Sequence, residues 1–399
     1  MSEKQLQAGI FLRNLPHYRL GVFREVQRDD RISVTICAPE NYKQEYLQTE
    51  HREKGFPFAD IRVWRWRIPF TRRLLSLQPY AVWGLLRGKF DVVVLGNTFL
   101  DLHVWIDLLL CRLLGRSVCL WGHGDTLPPT KTSRVLRGIV LRLADAMVFY
   151  TESDRDQWIA RGLRPEKLFV AYNAINTDEV SAIKARLTPD ELAEFRREKG
   201  LVGKKVVIYI GRLFDYKKPD VVVRAMKRVV ERVPQAHLVM IGDGPVRRSL
   251  EELAAELGLS EQVTLTGTIP EEETVAKYHL CSQVGVMPAQ AGLSIQHAFG
   301  YGMPFIVGDY MAEHPPEVEL VTEGVTGMFC RDGDPEDFAR AIIEILSDDE
   351  LRARMSANAV RLIEEKYNVQ RMASGILDAI RYCAERRGRR KLTPGRSKS

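Results

Sequence analysis

A glycine at the end of the apolar run KVVIYI is followed by two cations: Gly211 supplies a turn at a strand end, and Arg212 and Lys217 lie in the loop GRLFDYKKPD behind it. Arginine grips a diphosphate through its planar fork and lysine meets it as a point charge, so the pair can hold a diphosphate without a metal. Surface cations on an ordinary loop are the competing reading. Farther along, PAQAGLSIQHAFGYGMP reads as a loop that opens a helix near Leu293. Free N–H groups at a helix start attract an anion, and Gly292 lets a phosphate or sugar approach the backbone closely. Ser294 and His297 are three residues apart and share a helix face, which puts His297 within reach of a ribose one turn below the phosphate. The alternative there is a packed helix, with Gly300 and Gly302 as small residues and His297 as a satisfied core histidine.

Other residues admit weaker readings. SVCLWGHGDT sets His123 between Gly122 and Gly124, just past a buried-looking strand, where an imidazole can orient a sugar or stabilise charge at a reacting centre. FLRNLPHYRLGVF breaks the first strand and exposes Arg13, Asn14, His17 and Arg19 at the same end of the sheet, as acceptor-side candidates of low specificity. IGDGPVRRSL looks like a dinucleotide fingerprint, but Arg247 stands where its third glycine belongs, so a tight turn at Gly244 explains it. The pairs Asp332/Asp334 and Asp154/Asp156 each precede a helix-like run, where aspartate caps the helix, and no metal is assigned to them. No cofactor is expected either.

These residues must be carried by strand ends. The first half alternates apolar runs (QAGIFL, ISVTICA, IRVWRW, DVVVLGN, SVCLWGHG, AMVFYT, KLFVAY) with amphipathic stretches, and the second restarts the pattern with KVVIYIG, AHLVMIG, QVTLTG, VGVMPA and PFIVGD. Such alternation predicts an α/β fold of two parallel-sheet, Rossmann-like domains facing a central cleft, with ligands outside the carboxyl ends of the strands. The expected boundaries are 1–180 for the first domain, 181–204 for a polar helical connection, and 205–368 for the second domain. A helix over 369–387 that returns to the first domain and a basic tail over 388–399 complete the division. At 399 residues, 45% hydrophobic and 28% charged, two soluble cores are the natural expectation.

The net charge of +6 is uneven: 1–180 carries 26 basic and 20 acidic side chains, 181–385 carries 25 and 32, and 386–399 carries seven and none. A basic half suits an anionic membrane surface or a lipid-linked phosphate. VWRWRIPFTRRLL, from Val63 to Leu75, would also fit nucleic acid, but a strand with one exposed face describes it more simply, and no nucleic-acid partner is expected. Phe99 to Leu114 is interrupted by Asp101, His103, Asp107 and Arg112 and reads as an amphipathic helix. The start MSEKQLQAGIFL lacks the layout of a secretion signal, so a cytoplasmic location is expected, with peripheral contact at the inner membrane face. The six cysteines show no CxxC spacing and read as reduced core residues.

In order and spacing, GRLFDYKKPD, LVMIGDGP, VTLTGTIP and GLSIQHAFGYGMPFIVGD resemble glycosyltransferase family 4, the retaining nucleotide-sugar enzymes of GT-B fold. FLRNLPHYR, WGHG and ADAMVFYTES fit more loosely, so the resemblance spans nearly the whole chain. It implies a nucleotide-diphosphate sugar donor and a glycan or lipid-linked acceptor in surface polysaccharide assembly. Arg212 and Lys217 would neutralise the diphosphate, and Gly292, Leu293 and Ser294 would hold phosphate and sugar. The loop from Gly267 to Ile269 would meet the base, and His123 the sugar. The family usually carries two glutamates eight residues apart, where this chain has Ala289 and His297. That departure leaves a rearranged sugar contact, a catalytically silent nucleotide-sugar-binding protein, and an epimerase on the same fold as distinguishable outcomes.

Overall fold

The computed structural model describes residues 5–39, 55–67, 74–96, 98–124 and 130–392. The chain divides into two compact units, Met1–Asn176 with Asn368–Ser399, and Thr177–Tyr367. In chain order the first unit holds β1 (Leu6–Phe11), α1 (Leu20–Val26), β2 (Ile32–Ala38), β3 (Phe58–Asp60), β4 (Trp64–Arg67), β5 (Leu74–Leu77) and α2 (Pro79–Leu86). It continues through β6 (Val92–Gly96), α3 (Leu102–Leu114), β7 (Ser117–Trp121), α4 (Lys131–Leu143), β8 (Ala146–Phe149), α5 (Glu152–Ala160) and β9 (Leu168–Val170).

Seven strands pair in parallel in the order β3-β2-β1-β6-β7-β8-β9. Their central members are continuous apolar runs because helices cover both faces, leaving no side that rewards a polar residue. On one face α2, α3 and α4 send Leu85, Val104, Leu108 and Val140 into a shared apolar cluster. On the other, α1 packs with α14 (Val369–Leu392). Met372, Ile376 and Ile380 of α14 are fully buried, each aliphatic side chain contributing about 2 kcal/mol. Gly375 lets α14 lie this close, since a Cβ there would sit 2.3 Å from the Val170 carbonyl oxygen. The helix continues to Leu392, past residue 387 where the sequence pattern ends it.

Three expectations need correction here. IRVWRW forms no strand of the parallel sheet: β4 pairs antiparallel with β5 in a separate ribbon, and all four of its residues are exposed. Arg19 is buried, donating to Asn173 Oδ1 at 2.9 Å and Tyr150 Oη at 3.1 Å, with its guanidinium 4.8 Å over the Trp121 ring. In the Phe99–Leu114 stretch Asp101, His103 and Asp107 are buried, and the exposed face carries Leu102, Ile106, Leu109 and Leu113 with Arg112.

The second unit holds α6 (Thr177–Arg186), α7 (Pro189–Glu198), β10 (Lys205–Ile210), α8 (Pro219–Arg232), β11 (Ala236–Ile241), α9 (Arg247–Glu256), β12 (Val263–Gly267) and α10 (Glu272–Leu280). It then runs through β13 (Val284–Met287), α11 (Leu293–Gly300), β14 (Phe305–Gly308), β15 (Gly327–Cys330), α12 (Pro335–Ser347) and α13 (Asp349–Glu365). Its six parallel strands are ordered β12-β11-β10-β13-β14-β15. The polar stretch expected as a connection is α6 and α7 of this unit. Thr188 starts α7 with a reciprocal capping box to Glu191, and α6 packs on α10 and α11.

Candidate functional site

In an open parallel sheet the ligand crevice opens where the strand order reverses, because the loops after the two strands there leave toward opposite faces. In the second unit that point lies between β10 and β13. Gly211 follows β10, its N–H bonded to the Ile241 carbonyl at 3.0 Å, and the next residues lie flat against the β11 loop. This approach requires glycine: a Cβ on Gly242, at φ +140°, would sit 2.0 Å from the Gly211 carbonyl oxygen, and one on Gly244 2.2 Å from that of Leu213. Buried Leu213 anchors the loop, while Arg212 is exposed with its guanidinium 5.3 Å over Phe214.

The adjacent lysines have opposite fates. Lys218, in the left-handed conformation at φ 54°, caps α8 and pairs with Glu313 at 2.9 Å and Asp332 at 2.7 Å. Lys217 reaches across the reversal instead, its Nζ donating to the Gln290 carbonyl at 2.8 Å and lying 3.6 Å from Met287 Sδ. No carboxylate pairs with it among the described residues. Burial, and then the charge of Arg212, lower its pKa to about 8.

The loop that receives Lys217 is pinned along its length. Gly308 N–H donates to the Pro288 carbonyl at 3.1 Å, and Ala291 N–H donates to His314 Nδ1 at 3.2 Å. The Gln290 side chain, on a residue at φ 54°, donates to the Glu313 carbonyl. His314 is buried, which lowers its pKa and keeps Nδ1 free to accept. Gly292 then caps α11 with no side chain, and the N–H groups of Gly292, Leu293 and Ser294 meet no acceptor among the described residues. A cation and a fan of free N–H groups thus converge, an arrangement that holds a phosphate.

One turn on, His297 is half-buried, its Nδ1 3.4 Å from Glu272 Oε1. Its ring stacks at 6.3 Å on that of buried His279, which stacks at 5.1 Å on Tyr301. An imidazole that keeps its one proton on Nδ1, facing Glu272, presents Nε2 as an acceptor. Ala289 is buried and offers no polar atom. Gly267, at φ +79°, ends β12 on the same edge of the sheet, with Ile269 half-buried beyond it. Two neighbours escape sequence reasoning, His314 and the buried Glu317, whose Oε2 would lie 3.9 Å from a Cβ on Gly292. Neither lies near a motif; HPPEVEL reads only as a proline-rich loop.

The first sheet reverses between β1 and β6. There Arg13 forks onto Asp101, at 2.6 Å and 3.3 Å, and Asp101 also accepts from the Ser76 hydroxyl. Asn14 is half-buried, and exposed His17 stacks edge-on against Tyr18 at 5.8 Å. His123 follows β7, exposed, with its ring 4.7 Å from that of Tyr150 and its carbonyl accepting from Arg137 at 3.0 Å. Gly124 lies close against α5 beside it, and a Cβ there would lie 2.3 Å from Asp154 Oδ1, so that side chain would have to move. Asp334 caps α12 through the N–H groups of Glu336 and Asp337, and Asp332 pairs with Lys218. Asp154 sits in the first turn of α5, which Thr151 caps. Among the described residues no group of three or more metal-ligating side chains comes together.

The sequence model for glycosyl transferases group 1 matches residues 192–362, and that for glycosyltransferase family 4 matches residues 23–179. The chain is 26% identical over 275 residues to alpha-D-kanosaminyltransferase of Streptomyces kanamyceticus, covering 65% of this chain and 69% of the relative. It is 32% identical over 177 residues to the GDP-mannose-dependent alpha-(1-6)-phosphatidylinositol monomannoside mannosyltransferase of Mycolicibacterium smegmatis, covering 42% and 45%. The chain spans about half the length of several curated relatives it matches. Among solved structures, HepE of Anabaena in complex with UDP superposes with a TM-score of 0.71 at 16% identity, over 94% of this chain and 100% of that one, which shows the shared fold. Two family matches in tandem, over two parallel-sheet units of this fold, lead to one conclusion: the chain belongs to the family 4 type of GT-B glycosyltransferases.

Proposed function

We propose that the chain is a retaining, metal-independent hexosyltransferase that moves a hexose from a nucleoside-diphosphate sugar to a glycan or lipid-linked acceptor. Its proposed setting is surface polysaccharide assembly at the cytoplasmic face of a membrane. The observation that carries this reading is Lys217, a cation with no carboxylate partner among the described residues, set beside the open N–H groups at the start of α11. Departure of a nucleoside diphosphate creates negative charge, and fixed cations and N–H groups stabilise it without reorganising at the moment of reaction. UDP in the HepE complex and the phosphatidylinositol monomannoside in the name of the mycobacterial relative support a diphosphate donor and a lipid-linked acceptor respectively.

In this reading Arg212 and Lys217 neutralise the diphosphate, and Gly211, Gly292, Leu293 and Ser294 hold phosphate and sugar through the backbone. Gly267 and Ile269 border the base, and His297 accepts from a ribose hydroxyl through Nε2. His123 is the first unit's proposed catalytic contribution, with Arg13, Asn14 and His17 on the acceptor side. Because Arg13 is neutralised by Asp101, its proposed part is to shape the loop. Glu317 supplies a carboxylate close to Gly292, where Ala289 supplies none.

A ligand that binds only the folded chain raises its melting temperature, so a thermal-shift panel of nucleoside diphosphates and their sugars tests the donor site. The reading expects a shift with at least one diphosphate, and a panel without any shift overturns it. Chelator should leave transfer unchanged. Ala289 also favours a second reading, a silent nucleotide-sugar-binding protein, identified by donor binding with neither transfer nor donor hydrolysis across a wide acceptor panel.

A further inference from the structure

Helix α3 wears its polarity inside out. Leu102, Ile106, Leu109 and Leu113 are 38%, 39%, 61% and 71% exposed, and their spacing sets them in one stripe along the outer face. Two polar side chains of the same helix face the protein: His103 and Asp107 are buried, and neither Asp107 oxygen has a hydrogen-bond partner among the described residues. Burial pushes the Asp107 carboxyl up to about 8, so it is mostly uncharged at neutral pH. A surface helix of a freely soluble protein has the opposite pattern, and a contiguous exposed apolar face marks an interaction site.

The stripe has neighbours of the same kind. Trp83 and Leu86 are exposed on α2, which packs along α3, and Val135 and Ile139 are exposed on α4, which covers the same face of the sheet. On these three helices or within three residues of their ends are Arg87, Lys89, Arg112, Lys131 and Arg134, all exposed. No exposed carboxylate occurs on α2, α3 or α4. A second copy of the chain docking face to face would set cation against cation, since a two-fold interface joins a patch to itself. A bilayer presents acyl chains beneath anionic headgroups, and complements both the apolar stripe and its cationic border. Helix α3, 13 residues and therefore about 20 Å long, falls short of a bilayer's hydrocarbon core. None of the helices among the described residues is long and apolar enough to cross a membrane. Lying flat is the geometry left to it.

We infer that the outer face of α2, α3 and α4 docks the chain onto the interfacial region of an anionic lipid bilayer, with the α3 stripe inserted and the flanking cations at the headgroups. This deepens the membrane-facing part of the proposed function and uses no donor-site residue. The test is co-sedimentation of the full chain with vesicles of phosphatidylcholine alone and with about one third phosphatidylglycerol. Binding to the anionic vesicles should exceed binding to neutral ones by about tenfold or more, and salt should weaken it without abolishing it. Leu109→Glu with Leu113→Glu should lower it at least about tenfold, while the melting temperature and the nucleoside-diphosphate shift stay unchanged. Should that pair disturb folding, Leu109→Gln with Leu113→Gln takes its place. Wild-type chain that ignores anionic vesicles, or folded variants that bind as wild type, overturn the inference. A dimer dissolved by these substitutions, in a chain that binds no vesicles, assigns the face to a second copy and overturns it as well. An absent nucleoside-diphosphate shift with vesicle binding intact sinks the donor reading alone.

Discussion

Each sheet reverses its strand order once, and at each reversal a cation beyond the central strand reaches the loop beyond its neighbour. In the first unit Arg13, after β1, meets Asp101, after β6. In the second, Lys217, after β10, meets the Gln290 carbonyl, after β13. The topology is the same and the electrostatics are opposite. Asp101 neutralises Arg13, which leaves a clip between two loops, whereas a carbonyl and a thioether leave the Lys217 charge unbalanced. Topology therefore marks where a ligand can sit, and the missing counter-charge marks which of the two places is ready for an anion.

Alanine at the two cations is the sharpest way to break this comparison. Lys217→Ala should lower kcat/KM for donor turnover about 100- to 1000-fold, roughly 3–4 kcal/mol of lost charge stabilisation, with little change in melting temperature. Arg13→Ala should leave donor KM unchanged and lower unfolding free energy by about 2 kcal/mol, read from denaturant midpoints, because Asp101 stays buried without its cation. The half-exposed Arg13 side chain keeps that loss below the cost of splitting a fully buried pair. If Arg13→Ala abolishes donor binding while Lys217→Ala only destabilises, the assignment of the two reversals is inverted.

Most of this architecture was legible in the sequence because strands buried on both faces are unbroken apolar runs. ISVTICA coincides with β2, β1 starts one residue before QAGIFL, and β6, β7, β10, β11, β13 and β14 lie within the expected segments. The edge strands β3 and β15 were not, since FAD and GMFC sit among polar, glycine and proline residues, whereas the equally short β9 lies in the run KLFVAY. IRVWRW misleads because alternation specifies a strand without specifying its partner. Arg19 misleads differently: nothing local announces that Trp121, Tyr150 and Asn173 will enclose it. At the donor loop, residue type and spacing marked Lys217, Gly292 and His297, while His314 and Glu272 enter through contacts that spacing cannot reveal.

The pH dependence sharpens the comparison from the lysine side. The Lys217 pKa in the free fold is about 8, against 10.5 unperturbed. A bound diphosphate favours the charged form, so above about pH 8 donor binding takes up a proton. Affinity should be flat below that value and then weaken, at most about tenfold per unit, until the bound-state pKa is passed. Apo stability moves the other way: between about 8 and 10.5 the unfolded chain binds more protons at this lysine, so folding gains as pH rises. Titration calorimetry and thermal melts over the same range check the two signs, and Lys217→Arg, always charged, should flatten both. Arg13 offers no such dependence to donor binding, and finding one that survives Lys217→Arg would locate the relevant charge elsewhere.

The smallest expected effect concerns whether the second reversal is prepared for a ribose as well as for a phosphate. Glu272 lies 3.4 Å from His297 Nδ1, and a carboxylate there holds the proton on that nitrogen, leaving Nε2 to accept as a glutamate would. Glu272→Gln keeps the shape but removes the charge that fixes the tautomer, so its amide can face the imidazole as donor or acceptor. Donor KM should rise about threefold, under 1 kcal/mol, with kcat unchanged, because the contact is equally present in ground and transition states. The discriminating readout is a 2′-deoxyribose or 3′-deoxyribose donor: wild type should lose affinity for at least one of them, and Glu272→Gln should narrow that loss. Equal sensitivity to Glu272→Gln with ribose and both deoxyribose donors would make the His297–Glu272 pair a packing contact. The readiness of the second reversal would then rest on Lys217 and the start of α11 alone.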